Sequence, residues 1–166
     1  ELFKKIRGFY HDSEMIKVIT GVRRCGKSSL MQTIVEELKE QGVPEANLVF
    51  LDLDSKKHKS IKKPEQLEQE IDKLCSAEGM KYLFIDEIQN IIGFEEIINA
   101  YRGEKEYSVF ITGSNSYLLS GELITKLTGR YIEIEMLPLS FEEYIDMKQY
   151  YGKNVSPNPT EELDKY

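Results

Sequence analysis

The sequence predicts an α/β domain in which a mainly parallel sheet is covered by helices on both faces. Three observations carry this reading. Short apolar runs suited to buried strands alternate with segments whose apolar residues recur at helical spacing. A glycine-rich segment, Gly21-Val22-Arg23-Arg24-Cys25-Gly26-Lys27-Ser28, joins the first such run to the first long helix. The third run closes on an acidic pair, Asp86-Glu87, which puts carboxylates at the sheet edge where open α/β folds bind ligands.

Taken in order, Met15 to Thr20 reads as the first strand through Ile16, Val18 and Ile19. Lys27 to Glu40 reads as a helix with Leu30, Met31, Ile34, Val35 and Leu38 on one face, closed by Gly42 and Pro44. Leu48 to Leu53 is the second strand. Pro64 opens the next helix as a first-turn proline, with Leu67, Ile71, Leu74 and Cys75 as its stripe. Met80 to Asp86 is the third strand, followed by a helix carrying Phe94, Ile97, Ile98 and Tyr101, and Tyr107 to Thr112 is the fourth. Gly129 reads as the C-cap of a helix around Glu122 to Thr128. Tyr131 to Met136 alternates strictly, as a strand with one wet face does. Ser140-Phe141-Glu142-Glu143 is a capping box that starts a helix with Phe141, Tyr144 and Ile145 inward.

With 166 residues the chain is long enough for one core without disulfide or metal support. Its 22 basic against 29 acidic residues leave a charge of −7, which disfavours non-specific adhesion to nucleic acid or anionic membrane. Cys25 and Cys75 have no paired spacing and His11 and His58 lie far apart, so neither a zinc site nor a disulfide framework is expected. No apolar run approaches the length of a membrane span and no signal peptide is visible, which reads as a cytoplasmic protein. The start at Glu1, and the stop at Tyr166 just after Thr160 caps a new helix, read as a fragment: an α/β domain over 1–150, then a linker and the start of a C-terminal region over 151–166.

The glycine-rich segment matches the phosphate-binding pattern G-x-x-x-x-G-K-[ST]. Gly21 and Gly26 let the backbone curl so that its N–H groups converge on phosphate oxygens, and the following helix adds its positive end. Lys27 reaches the β- and γ-phosphates, and the Ser28 hydroxyl ligates Mg²⁺. An ordinary turn is the competing reading, and the strand before and amphipathic helix after decide against it. With Arg24, Cys25 and Ser29, these residues form the expected nucleotide-contacting set. Asp86 is expected to hold Mg²⁺ through its water shell, beside Ser28, and Glu87 to take a proton from the attacking water.

Four features are more open. Ser114-Asn115, after the fourth strand, can reach the γ-phosphate or the water, with Asn115 as the catalytic candidate, or Ser114 or Ser116 can simply cap a helix. Arg130 is either a cation at a helix end or a γ-phosphate-sensing arginine, acting in cis or on a neighbouring subunit. Lys56, Lys57, Lys59, Lys62 and Lys63 form a solvated loop or a contact for nucleic acid or an acidic partner. Gln89 has no assigned role.

Taken together, Gly21 to Leu30, Phe84-Ile85-Asp86-Glu87-Ile88-Gln89, Ile111 to Ser116, Thr128-Gly129-Arg130-Tyr131 and Leu137-Pro138-Leu139-Ser140-Phe141-Glu142-Glu143 resemble the AAA-type P-loop ATP-binding domain of a prokaryotic predicted-ATPase family. The resemblance covers nearly the whole chain. It implies an AAA+ core with strand order 5-1-4-3-2, Walker A over Gly21 to Ser28, Walker B at Asp86 and Glu87, and sensor 1 at Ser114-Asn115. It also implies a C-terminal domain not present in this chain and homo-oligomer formation as one option. The expected activity is Mg-ATP hydrolysis. A slow ATP-dependent switch and a nucleic-acid-associated ATPase are the alternatives.

Overall fold

The computed structural model describes residues 2–75, 77–113, 126–163 and 165, and the side chains from residue 4 onward. The chain forms two compact units, Glu1–Met136 and Leu137–Tyr166. In the first, α1 (Leu2–Arg7) is followed by β1 (Ile16–Gly21), α2 (Lys27–Glu40), β2 (Leu48–Asp52), α3 (Pro64–Leu74), β3 (Lys81–Asp86), α4 (Phe94–Gly103), β4 (Tyr107–Thr112) and β5 (Tyr131–Met136). The five strands form one sheet in the order β2-β3-β4-β1-β5, and every pairing is parallel. That is the 5-1-4-3-2 order, read from the other edge.

Strand alternation divides the core between the two faces. Ile16 and Val18 of β1, Leu83 and Ile85 of β3, and Val109 and Ile111 of β4 pack with α3 and α4. Ile19, Tyr82, Phe84 and Phe110 point the other way and pack against Leu30, Met31, Ile34 and Leu38 of α2. Phe84 and Phe110 stack there with centroids 4.6 Å apart. Every residue of β1 and β4 is buried, as in strands covered on both faces, whereas β5, at the edge, alternates in sequence and is only partly buried.

Local polar chemistry shifts some boundaries. Asp12 Oδ1 accepts from the N–H groups of Glu14 and Met15, a turn that holds Met15 out of β1. Asp52 Oδ1 accepts from Asp54 N and ends β2 one residue before Leu53. Helix α1, which the sequence does not announce, is held by distant partners: Ile6 is fully buried, and Arg7 and Tyr10 both donate to the Glu37 carboxylate.

Lys17 is fully buried, with Nζ donating to Asp12 O at 2.6 Å, Met15 O at 3.0 Å and Ser108 Oγ at 2.8 Å. Burial pushes its ammonium down to about 7, against the pull of Asp12. Below that pH, Lys17 is protonated folded and unfolded alike. Between about 7 and the ordinary lysine range the unfolded chain binds the extra proton, so stability rises with pH. Lys17→Met should reduce the gain in unfolding free energy between pH 7 and 9 by up to about 2 kcal/mol. Urea titrations at the two pH values measure this, and an unchanged slope would place the titration elsewhere.

In the second unit, α5 (Phe141–Tyr150) starts at the expected capping box: Ser140 Oγ accepts from Glu143 N, and Glu143 Oε2 accepts from Ser140 N at 2.7 Å. Phe141, Tyr144 and Ile145 are only half-buried, so the inward face expected of this helix is not a closed core. Helix α6 (Pro159–Leu163) is capped by Asn158, whose Oδ1 accepts from Thr160 N, rather than by Thr160 itself. Glu162 accepts from Lys148, Tyr144 and the Ser156 amide, and these donors, led by Lys148, hold its carboxyl down at about 2.

Candidate functional site

The end of β1 and the start of α2 build the centre of the site. Gly21 has φ 153°, and a Cβ there would lie 2.5 Å from Cys25 Sγ and 2.5 Å from Met136 O. Only glycine lets the loop pass between its own thiol and β5. Cys25 is accordingly half-buried beneath the loop. Gly26 takes φ 98° at the N-cap of α2 and supplies no side-chain cap, so the first amides of α2 stay open to an anion.

Lys27 is 5% exposed and donates from Nζ to the carbonyls of Gly21 and Val22, each at 3.1 Å. The ammonium thus lies folded back on its own loop. Around it Arg24, Gly26, Lys27, Ser28, Ser29 and Glu87 line a cleft of about 220 Å³. The cleft joins residues sixty positions apart in the chain.

Asp86 and Glu87 arrive at this cleft from the carboxyl end of β3. Asp86 is 3% exposed, and its Oδ1 accepts from the buried Thr112 hydroxyl at the end of β4. The same hydroxyl oxygen accepts from Glu87 N at 3.0 Å. One side chain therefore orients the carboxylate of Asp86 and the backbone of Glu87 together, a donor-and-acceptor use that suits a hydroxyl. Sequence reasoning missed Thr112. Its signal is a polar residue closing the apolar run Val109-Phe110-Ile111, in register just beyond the Ile85–Ile111 pair. Glu87 itself lies in the left-handed region, φ 59°, and its Oε2 accepts from Gln89 Nε2.

Ser114 and Asn115 lie outside the described residues. Arg130 is exposed just before β5, and its carbonyl accepts from Ile16 N at 3.0 Å. It therefore stands at the amino edge of the sheet, whereas the cleft is at the carboxyl edge. A six-residue strand separates them, about 20 Å, which exceeds the reach of an arginine side chain. The lysine-rich loop follows β2 at the carboxyl edge of the sheet, and none of its lysines lines the cleft. It starts where Leu53 N donates to Asp86 O at 3.2 Å and Asn90 Nδ2 to Asp54 Oδ1 at 2.9 Å. Buried His58 and Ile61 anchor it, while Lys56, Lys57, Lys59, Lys62 and Lys63 stay exposed.

A family model described as an AAA domain matches residues 13–145. The chain belongs to the AAA domain family. Uncharacterized proteins of Haemophilus influenzae and Methanocaldococcus jannaschii are relatives of this AAA domain at 42% and 33% identity, over 84% and 100% of the chain. The chain spans only 35% and 38% of their lengths. In fold, the AAA domain is similar to a closed-state Hsp104 reconstruction with ATPγS and FITC-casein, at TM-score 0.62 and 16% identity over 89% of this chain and 28% of that one. It is also similar to AMPPCP-bound DnaA from Aquifex aeolicus, at TM-score 0.59 and 16% identity over 94% and 51%. The parallel sheet in the order β2-β3-β4-β1-β5 with its flanking helices is the AAA+ P-loop arrangement. The family makes this a nucleotide-binding ATPase domain at that general level.

Proposed function

We propose that this AAA domain binds Mg-ATP in the cleft between the Gly21–Ser28 loop and Glu87, and hydrolyses it. The observation that carries the reading is the cleft itself, where a lysine, a hydroxyl and a carboxylate from distant parts of the chain meet at a helix N-terminus. Lys27 leaves the two loop carbonyls and turns its charge to the β- and γ-phosphates, whose oxygens then meet the open amides of α2. The Ser28 hydroxyl and the Asp86 carboxylate are hard oxygen donors of the kind that hold magnesium, and Thr112 engages one Asp86 oxygen while the other remains. The metal, when bound, neutralises charge on the phosphate oxygens. A water oxygen bonds to the γ-phosphorus as the bridge to ADP breaks, and Glu87 takes its proton. Turnover of the full-length protein, measured with and without added DNA, tests this reading. Absence of phosphate release at saturating ATP would leave a binding switch in its place.

Arg130 cannot serve its own cleft across the sheet, so the reading assigns it to a neighbouring copy. Arg130→Ala should then lower turnover steeply, within the 10³–10⁵-fold range known for supplied arginines. Mixing it with Glu87→Gln should recover activity above either variant alone, because one mixed interface keeps both groups. Near-normal turnover of Arg130→Ala would reduce it to a helix-end cation worth at most about 1 kcal/mol.

The nucleic-acid-associated reading has its own observation, the five exposed lysines of the 56–63 loop. DNA that raises turnover, with the effect fading as salt rises, would favour it.

A further inference from the structure

The residue after the base is buried, and the one after that is a glutamine whose amide has one partner. Gln89 sits in a short 3-10 turn, Ile88–Asn90. That turn is fixed on every side. Asn90 N donates to Glu87 O at 3.0 Å and Ile91 N to Ile88 O at 3.0 Å, and Ile88 and Ile91 are fully buried. Asn90 Nδ2 also donates to Asp54 Oδ1. Glu87 is held from the other side by the bond from its N–H to Thr112. Both backbones being pinned, the bond from Gln89 Nε2 to Glu87 Oε2 joins two rigid frames.

The amide is dedicated to that carboxylate. Gln89 Oε1 is buried and pairs with nothing among the described residues. Only the donor end is engaged, and it engages the side chain that enters the phosphate-loop cleft. The bond occupies Oε2 and leaves Oε1 of Glu87 for water.

We propose that Gln89 is a positioning residue for hydrolysis: it fixes the rotamer of Glu87, so that the free carboxylate oxygen meets the attacking water in line with the γ-phosphorus. This rests on Glu87 as the base. The water oxygen bonds to phosphorus while the phosphorus–oxygen bridge to ADP breaks and the water's proton moves to Glu87. Gln89 neither gains nor loses a proton. General bases contribute about 10²–10⁴-fold, and misplacing a reacting group by about 1 Å costs on the order of 10²-fold. Loss of the orienting bond should therefore remove a large part of the base's effect and leave nucleotide binding alone.

The test compares Gln89→Met, which keeps the length and loses the donor, with Gln89→Glu, which sets a like charge against Glu87. Both are made in the full-length protein, in the parent and in a Glu87→Gln background. Affinity is read with a fluorescent non-hydrolysable ATP analogue, and the chemical step by single turnover with γ-labelled ATP. Gln89→Met should bind the analogue within about twofold of the parent and hydrolyse about 10–100-fold more slowly, with Gln89→Glu slower still. In the Glu87→Gln background, Gln89→Met should change the residual rate by less than about twofold. Gln89→Ala replaces the methionine variant where melting curves show that it perturbs the turn. Hydrolysis within twofold of the parent in Gln89→Met would overturn the proposal, as would an equal rate loss in both backgrounds. If instead Glu87→Gln itself hydrolyses like the parent, it is the assignment of the base that fails, and Gln89 falls with it.

Discussion

Glu87→Gln is expected to bind ATP as tightly as the parent chain and to hydrolyse it about 10²–10⁴-fold more slowly. The substitution is nearly isosteric, and the backbone it sits on is fixed by Thr112 and by the buried turn that follows. The cleft should therefore keep its shape, while the new amide cannot take a proton from water. Asp86→Asn forms the contrast. Asp86 lies beneath the cleft with the Thr112 hydroxyl on one oxygen, so neutralising it should weaken magnesium-dependent binding before it touches chemistry. Equilibrium binding with and without magnesium, run beside phosphate release, separates the two variants. Wild-type turnover in Glu87→Gln would remove the carboxylate from the chemical step.

Lys27→Ala should abolish most of the stabilisation that Mg-ATP gives the fold. At a hundred times its dissociation constant, ATP should stabilise the parent by about 2.7 kcal/mol. For a domain of this size that is roughly a 5–10 °C rise in Tm. The structure adds a cost at rest. Lys27 satisfies the carbonyls of Gly21 and Val22, and a buried acceptor left without its donor costs about 1–3 kcal/mol. The variant should therefore melt lower without nucleotide as well as respond less to it. Each protein's shift must be taken from its own nucleotide-free Tm in a thermal scan. A variant that melts lower but shifts as far as the parent would show that the ammonium serves the loop and not the ligand.

Much of the fold was legible because its signals are local. Strands buried on both faces read as largely apolar runs, α2 shows its stripe directly, and Pro64 and Ser140 mark helix starts, one by its fixed φ and the other by its capping hydroxyl. The loop Gly21–Ser28 and the pair Asp86-Glu87 were legible for the same reason, since spacing alone defines them. What escaped depends on residues that only the sheet brings together. Thr112 acquires its meaning when β4 lies beside β3, and α1 exists because Arg7 and Tyr10 find Glu37 thirty and twenty-seven positions away. Gln89 looked idle because its partner's direction is set by a left-handed backbone that no spacing rule encodes. The separation of Arg130 from the cleft follows from parallel register, in which Tyr131 pairs with Ile16 at the far end of the strand that leads to Gly21.

The left-handed backbone at Glu87 bears on laboratory evolution of this chain. A carboxylate side chain at φ 59° sits where glycine, and to a lesser degree asparagine, are easier, by roughly 1 kcal/mol or more. A library screened for heat resistance alone would reward Glu87→Gly and Glu87→Asn, and the survivors would be sturdier proteins without this carboxylate. Position 24, where Arg24 has φ 67° at the rim of the cleft, invites the same drift. Enrichment at these two positions under a thermal screen, and their depletion under a screen for phosphate release, would mark them as places where selection for work and selection for endurance pull apart.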